Sequence, residues 1–286
     1  MLTCPVARRG MFPWEVSPFM SSSYFEKWSL LPDGEVIVTP SSHLYPVRYR
    51  NGAAMLKVAH DPEEKFGRLP LAYWNGQGAA RVYQSDADAV LMERTDSQRN
   101  LFHMAMTGGD VDVTRIICRT VARLHAPRST PVPSDLVPLD KWFASLEAAA
   151  PVHGGLFARA LDAAKTLLAD PEPPVVLHGD VHHANILDFG DRGWLAIDPK
   201  RVVGDRGYDY ANLFCNPELP LVTAPGRLQR HLPVVAEETG LPPRRILHWV
   251  LAYAGLSAAW FLEDGDDPGV ESDLIMAGIA IAELDR

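Results

Sequence analysis

Between Val175 and Lys200 the chain reads VVLHGDVHHANILDFGDRGWLAIDPK, crowding three histidines, carboxylates and an asparagine between apolar runs. Two chemistries want such a crowd. The first is a magnesium-nucleotide site on Asp180, Asn185 and Asp198. In phosphoryl transfer to a hydroxyl, one aspartate accepts the attacking proton and an asparagine five residues later helps hold magnesium. A further aspartate, at the end of a following strand, bridges metal and phosphates. Asp180 and Asn185 have that spacing, and the apolar run WLAID delivers Asp198 to its end. The second is a zinc site on His178, His182 and His183 with Asp180. His178 and His182 stand four apart, as on a helix, yet VVL and Gly179 indicate a strand entering a loop. Zinc also leaves Asn185, Asp198 and an earlier lysine without roles, so magnesium is the preferred reading. His178 is then a hydrogen-bonded structural residue, His182 braces the loop and His183 is exposed.

The earlier lysine is Lys57, a single cation in the apolar run AAMLKVA. An idle charge is expensive there, so Lys57 is expected to face the α- and β-phosphates. Its carboxylate partner should come from the next helix, which offers Glu63 and Glu64, with Glu64 preferred. The competing role for Glu64 is a capping box with Asp61.

These residues need elements to position them. EVIVTP, LYPVRYR and AAMLKVA read as antiparallel strands, with Asn51-Gly52 as the hairpin signal between the last two. A helix should follow, with Asp61 as N-cap and Pro62 at its first position, and Pro70 should break or kink it. AARVYQ and AVLMER supply two more strands. After Thr95 the pattern turns helical: Asp110 to His125, Leu139 to Ala150, Leu156 to Ala169, then Arg227 to Thr239, Arg244 to Leu262 and Ser272 to Leu284. ILHWVLAYAGLSAAWFL is apolar nearly all round and should form the buried centre of the second part. The expected fold class is therefore α+β: an extension over 1–30, a small antiparallel-sheet lobe with one helix over 31–95, and a larger, mainly helical lobe over 96–286.

Composition bounds the partners. The chain has 286 residues, 47% of them hydrophobic, and no uninterrupted apolar segment of spanning length, which reads as a soluble protein without a membrane partner. Its net charge of -9 argues against nucleic acid and is congenial to cations. Acidity clusters in FLEDGDDPGVESD, which is either a solvated loop or a cation-recognition segment. Cys4, Cys118 and Cys215 are far apart, with no C-x-x-C, and read as free thiols. With no signal-peptide pattern at the N-terminus, the expected location is the cytoplasm.

The motifs resemble those of the aminoglycoside phosphotransferases, in particular the branch of streptomycin 6-phosphotransferases and hydroxyurea kinases. LHGDVHHAN resembles the catalytic loop, WLAIDPKRVVGDRGYDYANLF the metal-binding strand and its sequel, and AYWNGQGAARVY with AVLMER the fourth and fifth strands. The similarity runs from about Gly34 to the C-terminus. It implies a protein-kinase-like two-lobed fold using ATP and Mg2+, with Asp180 as catalytic base and Asn185 and Asp198 on the metal. Adenine would lie against the backbone at Glu93, Arg94 and Thr95, and Asp209 would anchor the catalytic loop from below. PSSHLYPV lacks the glycine-rich pattern, so Ser41, Ser42 and nearby backbone would cover the phosphates. Gly179 stands where regulated protein kinases carry an arginine, and only ten residues separate Asp198 from Asp209, so no phosphorylation switch is expected. The acceptor would be a small hydroxylated molecule, with a cationic aminocyclitol such as streptomycin the leading expectation. Choline-, fructosamine- and homoserine-kinase-like activities stand as alternatives, as do a metal-dependent hydrolase and a catalytically idle nucleotide binder.

Overall fold

The computed structural model describes residues 18–217 and 220–286, so Cys4 and most of the predicted N-terminal extension lie outside the described residues. Helix α1 (Pro18–Lys27) precedes an antiparallel sheet of β1 (Leu31–Pro32), β2 (Ile37–Val38), β3 (Ser42–Tyr49), β4 (Gly52–Ala59), β5 (Val82–Ser85) and β6 (Ala89–Glu93). The strand order is β1-β3-β4-β6-β5, with β2 also on β3. Side chains alternate across a pleated sheet. Val47, Leu56, Val58 and Leu91 therefore share one face, which Tyr24 and Trp28 cover. Lys57 projects from the other. A helix on the sheet before its first strand adds to the one predicted.

The β3–β4 hairpin forms as expected but turns one residue earlier. Tyr49 pairs with Gly52, and the two turn residues with positive φ are Arg50 (46°) and Asn51 (66°). Asn51 tolerates that region through its short polar side chain, so Gly52 joins the strand instead.

The segment after β4 also departs from expectation. Asp61 caps only a tight turn, accepting the Glu63 amide at 2.7 Å. A 3-10 turn over Glu64–Gly67 then leads into α2 (Arg68–Trp74). Pro70 neither breaks nor kinks α2: it lies in the first turn, where its missing N–H has no intrahelical acceptor to lose. Gly67 is required by close packing, since a Cβ there would lie 2.7 Å from the Pro199 carbonyl oxygen.

The helical part comprises α3 (Leu101–Met104), α4 (Asp110–His125), α5 (Leu139–Trp142), α6 (Ala144–His153), α7 (Gly155–Ala169), α8 (Gly207–Ala211), α9 (Arg227–Thr239), α10 (Pro243–Asp264) and α11 (Asp267–Leu284). Short strands β7 (Val137–Pro138), β8 (Val175–Leu177), β9 (Ile186–Asp188), β10 (Trp194–Ala196) and β11 (Val202–Gly204) carry the functional loops. By length and composition α10 could cross a membrane, yet 72% of its apolar window is buried. Trp249, Val250, Leu256 and their neighbours on α10 pack inside the same core as α4 and α7, as the all-round apolar pattern predicts. Cys118 is a free thiol buried in that core.

Candidate active site

Lys57 lies on β4 opposite Leu44 and Val90, with 6% of its surface exposed. Its ammonium pairs with both Glu64 and Asp198. Burial alone would lower its pKa, but those two carboxylates hold it above the ordinary lysine value. The other carboxylate oxygen of Glu64 takes the ammonium of Lys200. Glu63 points elsewhere, forming a forked pair with Arg201 at 2.6 and 2.9 Å. Lys200 is equally buried, and Glu64, Asp180 and Asp198 outweigh the burial and raise its pKa. In the sequence Lys200 carries no signal beyond its place two residues after Asp198.

The loop after β8 carries Asp180, and Asp209 at the start of α8 fixes that loop. The carboxylate of Asp209 accepts the backbone amides of His178 and Gly179, each at 2.8 Å, and also meets His125 Nε2 at 2.8 Å. This is the anchoring from below that the resemblance implies. Asp205, four residues before Asp209, accepts the amides of Glu172 and Gly207 at 2.8 Å and pairs with Arg245. Burial would raise the Asp180 carboxyl, but His182, Lys200 and His178 hold it well below the usual carboxylate range. It is therefore an anion at neutral pH, as a proton acceptor must be.

Asn185 donates its amide nitrogen to the Asp180 carbonyl at 3.0 Å, which leaves its amide oxygen to ligate a cation. Asp198 follows β10 in the left-handed region, at φ 59°, and already accepts the Lys57 ammonium. Burial would raise the Asp198 carboxyl, but Lys57 and Lys200 keep it low. An anionic carboxylate and an amide oxygen form an oxygen-only donor set, which fits magnesium.

The histidines do not compete for a metal. His178 is fully buried and stacked on Trp74, with Nε2 at 2.9 Å from the Ile197 carbonyl and Nδ1 accepting the Asp180 amide at 3.2 Å. Both ring nitrogens are used. His182 Nδ1 accepts the Ala184 amide at 3.2 Å, bracing the loop. His183, expected at the surface, is only 4% exposed. It packs near Arg227, and burial first, then Arg227, push its pKa down to about 3. Its predicted exposure failed because polarity alone does not reveal that α9 covers the loop. Among the described residues no three His, Cys, Asp or Glu side chains group as a metal site.

The predicted phosphate loop is the β2–β3 turn. Thr39 Oγ1 accepts the Ser42 amide at 3.0 Å, and the Ser41 carbonyl accepts the amides of His60 and Asp61. The Ser42 hydroxyl is buried, with no hydrogen-bond partner among the described residues. At the predicted adenine position, Glu93 pairs with Arg192, Arg94 with Asp33, and Thr95 donates to the Asp188 carbonyl. Glu93 and Thr95 tie the lobes together and Arg94 stays within the first, so what these three engaged residues offer a base is backbone.

A cavity of about 440 Å³ borders this network where Asp61 and Glu63 face α5, α6 and the end of α10. Trp142 and Trp260 meet edge to face in its wall, their ring centres 5.8 Å apart. Glu263, Asp264 and Lys141 complete its charged lining.

The family model for aminoglycoside/hydroxyurea antibiotic resistance kinases matches residues 27–265. The streptomycin 3''-kinase of Klebsiella pneumoniae is 50% identical over 262 residues, 90% of this chain and 98% of the relative. The streptomycin 6-kinase of Streptomyces griseus is 29% identical, with 87% and 84% covered. In fold, the chain is similar to a thermostable mutant of the aminoglycoside phosphotransferase APH(4)-Ia in ternary complex with AMP-PNP and hygromycin B. That similarity has a TM-score of 0.65 at 14% identity, with 91% of this chain and 97% of that one covered.

Proposed function

This chain belongs to the aminoglycoside/hydroxyurea antibiotic resistance kinase family, and we propose that it phosphorylates streptomycin at the 3'' hydroxyl. The family and fold make it an ATP-dependent phosphotransferase acting on a hydroxyl group of a small molecule. The observation that carries the choice of acceptor and position is the 50% identity over nearly the whole streptomycin 3''-kinase, against 29% for the 6-kinase. The acidic, tryptophan-walled cavity supports a cationic guest, since ammonium and guanidinium groups favour both carboxylates and indole faces. The net charge of -9 agrees.

In the proposed mechanism Asp180, held ionised, accepts the proton of the attacking hydroxyl. Lys57, steadied by Glu64, moves from Asp198 onto the α- and β-phosphates of ATP. Ser42 and the backbone of its turn cover the phosphates, and the buried hydroxyl supplies a donor that has no other partner among the described residues. The backbone at Glu93, Arg94 and Thr95 receives adenine. Asp198 and the amide oxygen of Asn185 would hold Mg2+, which when bound would neutralise phosphate charge during transfer. The protein acts in the cytoplasm, where ATP is available.

The test is incubation of the protein with ATP, Mg2+ and streptomycin, followed by mass spectrometry and phosphorus-coupled NMR. We expect one added phosphate at the 3'' position. Phosphate at the 6 position would correct the regiochemistry, and an unmodified drug beside phosphorylated choline or another polyol would overturn the acceptor.

A further inference from the structure

We infer that Asn212 is a positioning residue that aims the Asp180 carboxylate, and that Asn216 and Arg227 hold it in place. The inference rests on the reading of Asp180 as the base. Asp209 fixes the backbone of the catalytic loop but leaves the carboxylate of Asp180 free to rotate about its own side-chain bond. Two amides flank that carboxylate. Asn185 Nδ2 lies 3.4 Å from Oδ2, and Asn212 Nδ2 lies 3.4 Å from Oδ1. His182 Nε2 also approaches Oδ2, but at 3.7 Å it acts as a charge rather than as a hydrogen-bond donor. Asn185 is committed to the proposed metal, so Asn212 is the amide whose contact with Asp180 serves orientation alone. A separation of 3.4 Å is long for a finished hydrogen bond, and catalytic contacts of this kind tighten when substrates bind.

The direction of the Asn212 amide is set by its neighbours. Asn212 is 2% exposed in the short turn Asn212–Cys215 that follows α8. Its Oδ1 accepts Asn216 Nδ2 at 2.7 Å, so its NH2 group must face Asp180. Asn216 in turn gives its carbonyl to Arg227 Nη2 at 2.8 Å, and Nη1 reaches the Phe214 carbonyl at 3.4 Å. Arg227 is 2% exposed on α9, a costly place for a guanidinium. Asp110 at the start of α4 neutralises it through two contacts of 2.8 and 3.1 Å. His231 also meets Asp110 at 3.0 Å, and Thr114 holds the other ring nitrogen of His231 at 2.7 Å. A buried, fully paired ion network on two core helices thus grips the turn that faces the proposed base.

The test is a double-mutant cycle of Asn212→Ala and Asp180→Asn, with kcat and the KM for ATP measured on streptomycin and Mg-ATP. Losing a donor to a charged acceptor should lower kcat about 10- to 100-fold. The KM for ATP should stay within about twofold, because Asn212 lies away from Lys57 and the β2–β3 turn. In the Asp180→Asn background the same change should cost little more, since no carboxylate remains to aim. Asn212→Asp keeps the size of the side chain, removes the donor and should reproduce the loss in kcat if Asn212→Ala folds poorly. Equal losses from Asn212→Ala in both backgrounds, or a raised KM for ATP with unchanged kcat, would overturn the relay. Near-full turnover in Asp180→Asn alone would instead overturn the base assignment, and the relay with it.

Discussion

Glu64 places one carboxylate oxygen on Lys57 and the other on Lys200, so a single buried anion holds the two cations that flank Asp198. The arrangement ties the first turn after β4 to the strand that carries Lys57 and to the segment after Asp198. It also explains why Glu64 forms no capping box: both of its oxygens are occupied elsewhere.

Removing that anion should therefore damage stability and nucleotide handling together. Glu64→Ala leaves two buried ammoniums facing each other, and breaking a buried pair costs about 3–5 kcal/mol. We expect a melting temperature roughly 5–10 °C lower and a fall in kcat/KM for ATP of at least about 100-fold. Glu63→Ala, which loses the half-exposed pair with Arg201 and one carboxylate of the acidic cavity but leaves both buried ammoniums paired, should cost far less in stability and in kcat/KM for ATP. Calorimetry and steady-state kinetics on the two variants separate these outcomes, and equal effects would show that Glu64 has no special place.

Asp180 and Asp198 should fail differently. Asp180→Asn keeps the shape of the loop and removes the proton acceptor, so turnover should fall by roughly 100- to 10,000-fold while ATP still binds. Asp198→Ala removes the proposed metal carboxylate, and nucleotide binding should lose its dependence on magnesium. Titration calorimetry with ATP, with and without EDTA, together with turnover assays, tests the pair. An Asp198→Ala protein that still needs magnesium to bind ATP would mean the metal is held elsewhere.

Much of this was legible in the sequence, and the misses share a cause. The boundaries of α4 and α9 fall on the predicted Asp110–His125 and Arg227–Thr239, because each helix carries a one-sided apolar stripe that only a helix can bury. The spacing of Asp180, Asn185 and Asp198 was legible because the first two share one loop and the third ends a short apolar strand. Local chemistry misplaced the hairpin turn by one residue, since Asn-Gly and Arg-Asn can both adopt positive φ and the register of β3 against β4 decides between them. Lys200, His183 and Asn212 were missed or misread for a different reason. Their environments come from Glu64, Arg227 and Asp180, each dozens of residues away, and no local pattern encodes which polar side chain folds inward.

Gly179 gives a sharper test of the loop. It adopts φ 77°, and a Cβ there would lie 3.0 Å from Lys200 Cβ and 3.1 Å from Val202 Cγ2. Gly179→Ala should cost about 1–3 kcal/mol through backbone strain and crowding, and should lower turnover because Asp180 is the next residue. An arginine, as regulated protein kinases carry, has no room. The interval PKRVVGDRGY contains no serine or threonine, and Val202–Gly204 is pinned as β11 between β7 and β8. Phosphatase treatment, followed by intact-mass measurement, should therefore leave turnover unchanged. A change in rate on dephosphorylation would reveal a switch that this geometry does not provide.

Asp273 predicts how stability depends on pH. It lies on α11 with 6% exposure; Ser257 on α10 bonds to it, and its Oδ2 has no partner among the described residues. Burial pushes its pKa up to about 7, with the Ser257 hydrogen bond pulling weakly the other way. In the unfolded chain it ionises near pH 4. Between about pH 4 and pH 7 the folded protein therefore keeps a proton that the unfolded chain has released, so stability falls as pH rises through that window and levels off above it. The full difference is on the order of 4 kcal/mol as an upper bound. Asp273→Asn, which stays neutral throughout, should melt at a higher temperature than the wild type at pH 8 and show little gain at pH 5. Thermal melts of both proteins across that range test it. A difference between the two curves that does not grow with pH would mean that Asp273 is already ionised and satisfied in the folded state.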